Sequence, residues 1–90
     1  MAITAETIPE IAPTFRFQWE EAQQCHVILY PEGMVKLSGS AGEILKRVDG
    51  ASSVAIITRA LEQEFPGTEL AGDVINFFEV AQKNGWIKTQ

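Results

Sequence analysis

The hydrophobic pattern changes period near residue 38. Before that point apolar and polar positions alternate: in Phe15-Arg-Phe-Gln-Trp19 the residues Phe15, Phe17 and Trp19 fall on one face and Arg16 and Gln18 on the other, the period of a half-buried strand. His26 to Tyr30 and Met34 to Leu37 are short runs rich in β-branched and aromatic residues, split by Pro31-Glu32-Gly33. Proline early and glycine late predict a three-residue hairpin turn with Gly33 free to take positive φ. Beyond Leu37 the apolar spacing becomes helical. Ser40-Ala-Gly-Glu43 fits a capping box ahead of the stripe Ala41, Ile44, Leu45 and Val48, with Gly50 as terminator. A second helix is predicted from Ser52 or Ser53 to Pro66-Gly67, carrying Val54, Ile57, Leu61 and Phe65 inward. A third carries Leu70, Val74, Phe77, Phe78 and Ala81 and ends at Asn84-Gly85, with Asp73 as a candidate cap and Trp86-Ile87 folding back onto it.

The predicted class is α+β: a three-stranded antiparallel sheet over residues 15–37, then a three-helix bundle over residues 40–84, in a winged helix-turn-helix-like order. Residues 1–14 mix Ile3, Ile8 and Ile11 with Pro9 and Pro13 and show neither period; they are predicted as a flexible arm, with docking of the isoleucines on a sheet as the alternative. Residues 15–90 then form a single domain. At 90 residues and 46% apolar content, one core is only just sufficient, so the two tryptophans and five phenylalanines are expected mostly inside.

Apolar runs such as Val27 to Tyr30 are far too short to cross a bilayer, and no base precedes Arg16 to begin a secretory signal. With a single cysteine, the expectation is a cytoplasmic protein without membrane association. Cys25 and His26 would point to opposite faces of a strand, which prevents a nucleophile and base pair, and no second histidine or CxxC completes a metal shell. Glu20-Glu21 read as a solvated turn, Gly33, Gly39 and Gly42 do not form a phosphate-binding loop, and Glu43 is accounted for by capping and a pair with Arg47. No catalytic residue, cofactor or metal is predicted.

DNA binding, which a helix-turn-helix order would suggest, is opposed by charge. The chain has 7 bases against 12 acids, net −5, and its third helix carries Glu69, Asp73 and Glu79 against Lys83. The same elements offer another use. In a meander, Met34 to Leu37 is an edge strand able to accept an extended peptide. Ladder bonds at about 0.5–1.5 kcal/mol each do not offset association and the ordering of a flexible peptide, so apolar anchors must contribute. The candidate peptide-binding residues are Met34, Val35, Lys36, Leu37 and Ser38 on the edge, with Val74, Phe77, Phe78 and Ala81 across a groove on the third helix. Most of the apolar ones are expected in the core, with a minority reaching the groove. Lys36 reads as a guard against self-association or a contact for an acidic ligand, and at least equally as a charge placed outward for solubility.

Gln18-Trp-Glu20, Ala22-Gln23, His26-Val-Ile-Leu-Tyr-Pro-Glu-Gly-Met34, Lys36-Leu37, Ile44-Leu45, Val48-Asp-Gly50, Phe65-Pro66, Asp73-Val74 and Trp86-Ile87 together resemble the pyrroloquinoline quinone biosynthesis protein D family, in order and with fitting spacing. The resemblance excludes residues 1–14. It implies a non-catalytic peptide chaperone that binds a ribosomally made precursor peptide along the third strand, facing the third helix, and presents it to a radical S-adenosylmethionine enzyme. A structural subunit that never touches the peptide and an acidic helix-turn-helix regulator remain the other readings. Whether copies of the chain pair is left open by the edge and the apolar arm.

Overall fold

The computed structural model describes residues 2–37, 39–67 and 69–89. Its elements are β1 (Pro9–Ile11), β2 (Arg16–Glu20), β3 (Cys25–Tyr30), β4 (Gly33–Lys36), α1 (Gly39–Leu45), α2 (Val54–Glu64), α3 (Ala71–Lys83) and β5 (Ile87–Thr89). The alternating segments form an antiparallel meander ordered β2-β3-β4. A second antiparallel pair joins β1 to β5, with Pro9 opposite Thr89 and Ile11 opposite Ile87.

Register fixes the faces of the meander. Trp19 lies opposite His26, Phe17 opposite Ile28 and Val35 opposite Ile28, so these side chains share the face turned to the helices. The outer face carries Arg16, Gln18 and Glu20 against Leu29, Val27 and Cys25, with Met34 and Lys36 beyond. Adjacent residues of a strand point to opposite sides, so Cys25 and His26 are on different faces. The hairpin between β3 and β4 closes more tightly than expected. Tyr30 pairs with Gly33, leaving Pro31-Glu32 as a two-residue loop, and Gly33 is a strand residue without positive φ. In the β2–β3 turn it is Gln24 that turns left-handed, at φ 54°, held by its backbone N–H and side-chain amide on the carbonyl of Glu21.

The helices carry the core. Ile44 and Leu45, Val54, Ile57 and Leu61, and Val74, Phe78 and Ala81 are buried against Ile28, Leu37 and Ile87. Each large side chain among them contributes about 1.5–3 kcal/mol of transfer free energy. Helix α1 begins at Gly39 and stops at Leu45, well before Gly50. The Arg47 and Val48 N–H groups turn back onto the Ile44 and Leu45 carbonyls and close the helix, and beyond them the Asp49 carboxylate accepts the N–H groups of Ala51 at 2.9 Å and Ser52 at 2.7 Å and shapes the connection to α2. Gly50, at φ +78°, sits in the connection and not at the helix end. Helix α2 starts where predicted, with the Ser53 hydroxyl accepting the Ile56 N–H. Helix α3 begins at Ala71, before Asp73, and its entry residue Leu70 donates its N–H to the Glu62 carboxylate at 2.9 Å. Gly85 turns at φ +77° and returns Trp86 and buried Ile87 to the core.

Residues 2–14, predicted as a flexible arm, are docked. Ile3 is 5% exposed and belongs to the core, Pro9 is fully buried, and β1 pairs with β5. The carbonyls of Thr7 and Ala5 accept the N–H groups of Val54 and Ala55, donors in the first turn of α2 that have no partner within their own helix. Ile11 also packs against the core, opposite Ile87.

Close packing of the sheet on α1 rests on Gly42. His26 is stacked on Phe17 at 4.9 Å between ring centroids and meets Trp19 edge-on at 5.0 Å. A Cβ added at Gly42 would lie 2.7 Å from His26 Nδ1 and 3.2 Å from its Cβ and Cγ. Gly42→Ala is therefore expected to destabilise the fold by about 1–3 kcal/mol, although alanine favours an isolated helix by about 1 kcal/mol. Urea unfolding followed by circular dichroism checks the sign.

Candidate functional site

Backbone pairing determines which groups of β4 are open. The Leu37 N–H donates to the His26 carbonyl at 3.0 Å, so even-numbered residues of β3 turn their backbone groups toward β4. Gly33, Val35 and Leu37 answer them, and the N–H and C=O groups of Met34 and Lys36 lie along the outer edge. Nothing among the described residues adds a further strand there. Met34 is 41% exposed and Lys36 exposed, Val35 is half-buried, and Leu37 is part of the core. Ser38 lies outside the described residues.

Past the end of β4 the surface opens into a cleft of about 380 Å³, with Gly39, Ser40, Glu43 and Ile44 of α1 on one side. Leu61 and Phe65 of α2 and Leu70, Asp73 and Val74 around the start of α3 form the other. Of the residues predicted to line a groove on α3, Val74 is at this cleft, buried, and Phe77 is half-buried with its ring edge-on to Phe78 at 5.7 Å. Phe78 and Ala81 are completely buried in the core and present no surface, because they occupy the stripe of α3 turned to Ile28 and Leu61. Phe65, read from its spacing as a core residue, is 46% exposed at the mouth of the cleft. Helix α2 ends at Glu64, so the residue four after Leu61 has already left the inner stripe. Ile44, Leu61, Phe65 and Leu70 are thus the cleft residues that periodicity missed as site residues. An apolar position just before Pro66-Gly67 was the available signal.

Charge around the cleft is mostly internal. Glu43 pairs with Arg47 at 3.0 Å and with Lys46 at 3.8 Å, and Arg47 also reaches Glu64 at 3.7 Å, tying α1 to the end of α2. The hydrogen bond from Arg47 holds the Glu43 carboxyl below its usual range, against the opposing effect of partial burial and with added help from Lys46. The N–H groups of Ala51 and Ser52 lower Asp49 in the same direction. Both folded pKa values are depressed, so each group stabilises the fold above its unfolded pKa and loses that contribution as pH falls through the folded value. The stability gap between the parent and Asp49→Ala is expected to be full at neutral pH and to narrow on acidification below about pH 4. Urea titrations at neutral and acid pH measure it. Among the described residues no three His, Cys, Asp or Glu side chains come together, and no helix is long and apolar enough to cross a membrane.

Comparison with known proteins bears on the family and the fold. The profile of a family described as coenzyme PQQ synthesis protein D matches residues 25–87. A protein of Azotobacter vinelandii named PqqA binding protein is 52% identical over 86 residues, covering 94% of both chains. One of the same name from Pseudomonas aeruginosa strain UCBPP-PA14 is 53% identical over 88 residues, again covering 94% of each. The fold matches the solution structure of the PqqD truncation of Methylobacterium extorquens PqqCD, described as a functional, stand-alone recognition element for ribosomally synthesized and post-translationally modified peptides. That match has a TM-score of 0.78 at 27% identity over 97% of this chain and 95% of the other. With its hairpin, its helices and more than half of its length inside the family profile, this chain belongs to the coenzyme PQQ synthesis protein D family.

Proposed function

We propose that this protein is a peptide-binding chaperone of PQQ biosynthesis, which takes the precursor peptide PqqA in extended form on β4 and anchors it in the adjoining cleft. The observation that supports this reading is proximity along the chain: the strand with the open backbone groups of Met34 and Lys36 is followed, three residues after Lys36, by Gly39, which lines an apolar cleft that also holds half-exposed Phe65. An outer edge of that length offers about four ladder bonds, or about 2–6 kcal/mol, which is less than association and peptide ordering cost. Side chains entering the cleft beside Phe65, Leu70 and Ile44 supply the remainder. Met34, Val35, Lys36, Leu37 and Ser38 remain the proposed edge, while Val74, Phe77, Phe78 and Ala81 act mainly by supporting the wall of the cleft.

In this reading the protein has no reaction of its own and hands the bound peptide to a radical S-adenosylmethionine enzyme in the cytoplasm. The helix pair α2 and α3 behind the small sheet is then a winged helix-turn-helix-like scaffold turned to peptide recognition, consistent with the acids Glu69, Asp73 and Glu79 that oppose nucleic acid. Amide shift mapping with synthetic PqqA is the test. Saturable shifts at Met34 and Lys36 and at Phe65, Leu70 and Val74 are expected. Shifts confined to other surfaces would reject the site.

A further inference from the structure

The meander has a second open edge. Odd-numbered residues of β3 turn their backbone groups toward β2, so Arg16, Gln18 and Glu20 are engaged by Leu29, Val27 and Cys25. The N–H and C=O groups of Phe17 and Trp19 consequently face outward, and β2 has no neighbour on that side among the described residues. We propose that β2 is a self-pairing edge through which two copies of this chain join their sheets, antiparallel and centred on Gln18.

The sequence of the strand is complementary to itself in that register. Antiparallel pairing about Gln18 sets Phe17 against the partner copy's Trp19 and Trp19 against its Phe17, on the helix-facing side. On the outer face it sets Arg16 against Glu20 and Glu20 against Arg16. Both charge pairs are attractive and both aromatic pairs are of the kind that stabilises cross-strand contacts. About four ladder bonds close the join, because the outward groups belong to the two aromatic residues. Trp19 is 48% exposed although it already touches His26, which leaves aromatic surface for a partner to cover.

The other edge lacks these features. Self-pairing of β4 about Val35 would oppose Met34 and Lys36 with no compensating acid, and outward Lys36 is the kind of residue that discourages edge-to-edge association. The two edges are therefore furnished for different guests, one for a peptide and one for a second copy. A join at β2 gives a continuous six-stranded sheet with β4 at each end, so pairing and peptide binding do not compete. A contact of five residues per side is well below the roughly 800 Å² per partner of a stable interface, so the dimer is weak and forms at high concentration.

Sedimentation velocity of the full chain up to about 1 mM tests this, a range that includes dimers of millimolar affinity. The parent is expected to associate reversibly. Arg16→Glu opposes acid to acid and Glu20→Arg opposes base to base, so each variant alone should associate at least tenfold more weakly while keeping its amide spectrum dispersed. An equimolar mixture of the two restores both attractive pairs and should associate, as should the doubly swapped variant, whose net charge equals the parent's. Loss in Glu20→Arg is the telling arm, since that change reduces net negative charge and would favour nonspecific association. A parent that stays monomeric throughout, single variants that associate like it, or a mixture no better than its components would each overturn the proposal.

Discussion

Ile3→Ala is expected to destabilise the protein by about 2–4 kcal/mol, the cost of an interior cavity and not of a change in a tail. Ile3 is 5% exposed and packs into the same cluster as Val54 and Ile57. Its segment also supplies the carbonyls of Ala5 and Thr7 to the first N–H groups of α2, so loosening it exposes those donors as well as the cavity. A 90-residue domain has total stability on the order of 5–10 kcal/mol, which makes this a large fraction. Urea unfolding followed by tryptophan emission is the measurement. A change within about 0.5 kcal/mol, the range of ordinary surface substitutions, would mean that the segment is not docked in solution.

Lys36→Pro is expected to weaken precursor-peptide binding by about tenfold or more, whereas Lys36→Ala changes it little. Proline removes an N–H from the outer edge of β4, where strands tolerate it, and leaves the pairing of β4 with β3 untouched. Alanine removes the charge and keeps the donor, so the pair of variants separates backbone recognition from electrostatics. Val35→Pro is not a usable substitute, because the Val35 backbone faces Ile28 and its loss breaks the sheet itself. Phe65→Ala, at the mouth of the cleft, is expected to cost about 1–2 kcal/mol of binding, or roughly five- to thirtyfold, with little loss of stability because the ring is already 46% exposed. Calorimetric titration of each variant with the peptide decides. Equal affinity for Lys36→Pro and the parent would eliminate strand addition at this edge.

The elements were readable where one physical cause dominated. Alternation located the strands from Phe15 to Leu37, and helical spacing with Ser53, Gly85 and the Pro66-Gly67 break located α2 and α3 to within a residue or two. Reading failed where local signals competed. Ser40-Glu43 looked like a capping box and Gly50 like a helix end, yet α1 starts at Gly39 and closes early, with Arg47 and Val48 turning back onto Ile44 and Leu45. The site was half legible. Edge strand β4 follows from strand order, while the cleft depends on where α1, α2 and α3 meet, and no period along one element reports that.

Composition and spacing were enough for the α+β class, the hairpin and the inward stripes of the helices, because each depends on neighbours within a few residues. Contacts between distant segments required the folded chain. The burial of Ile3 and Pro9, the β1–β5 pair, the exposure of Phe65 and the dependence of His26 on Gly42 all join residues far apart in sequence. Such contacts are selected by shape and by the satisfaction of backbone groups across elements, and a linear pattern carries no record of which surfaces will meet.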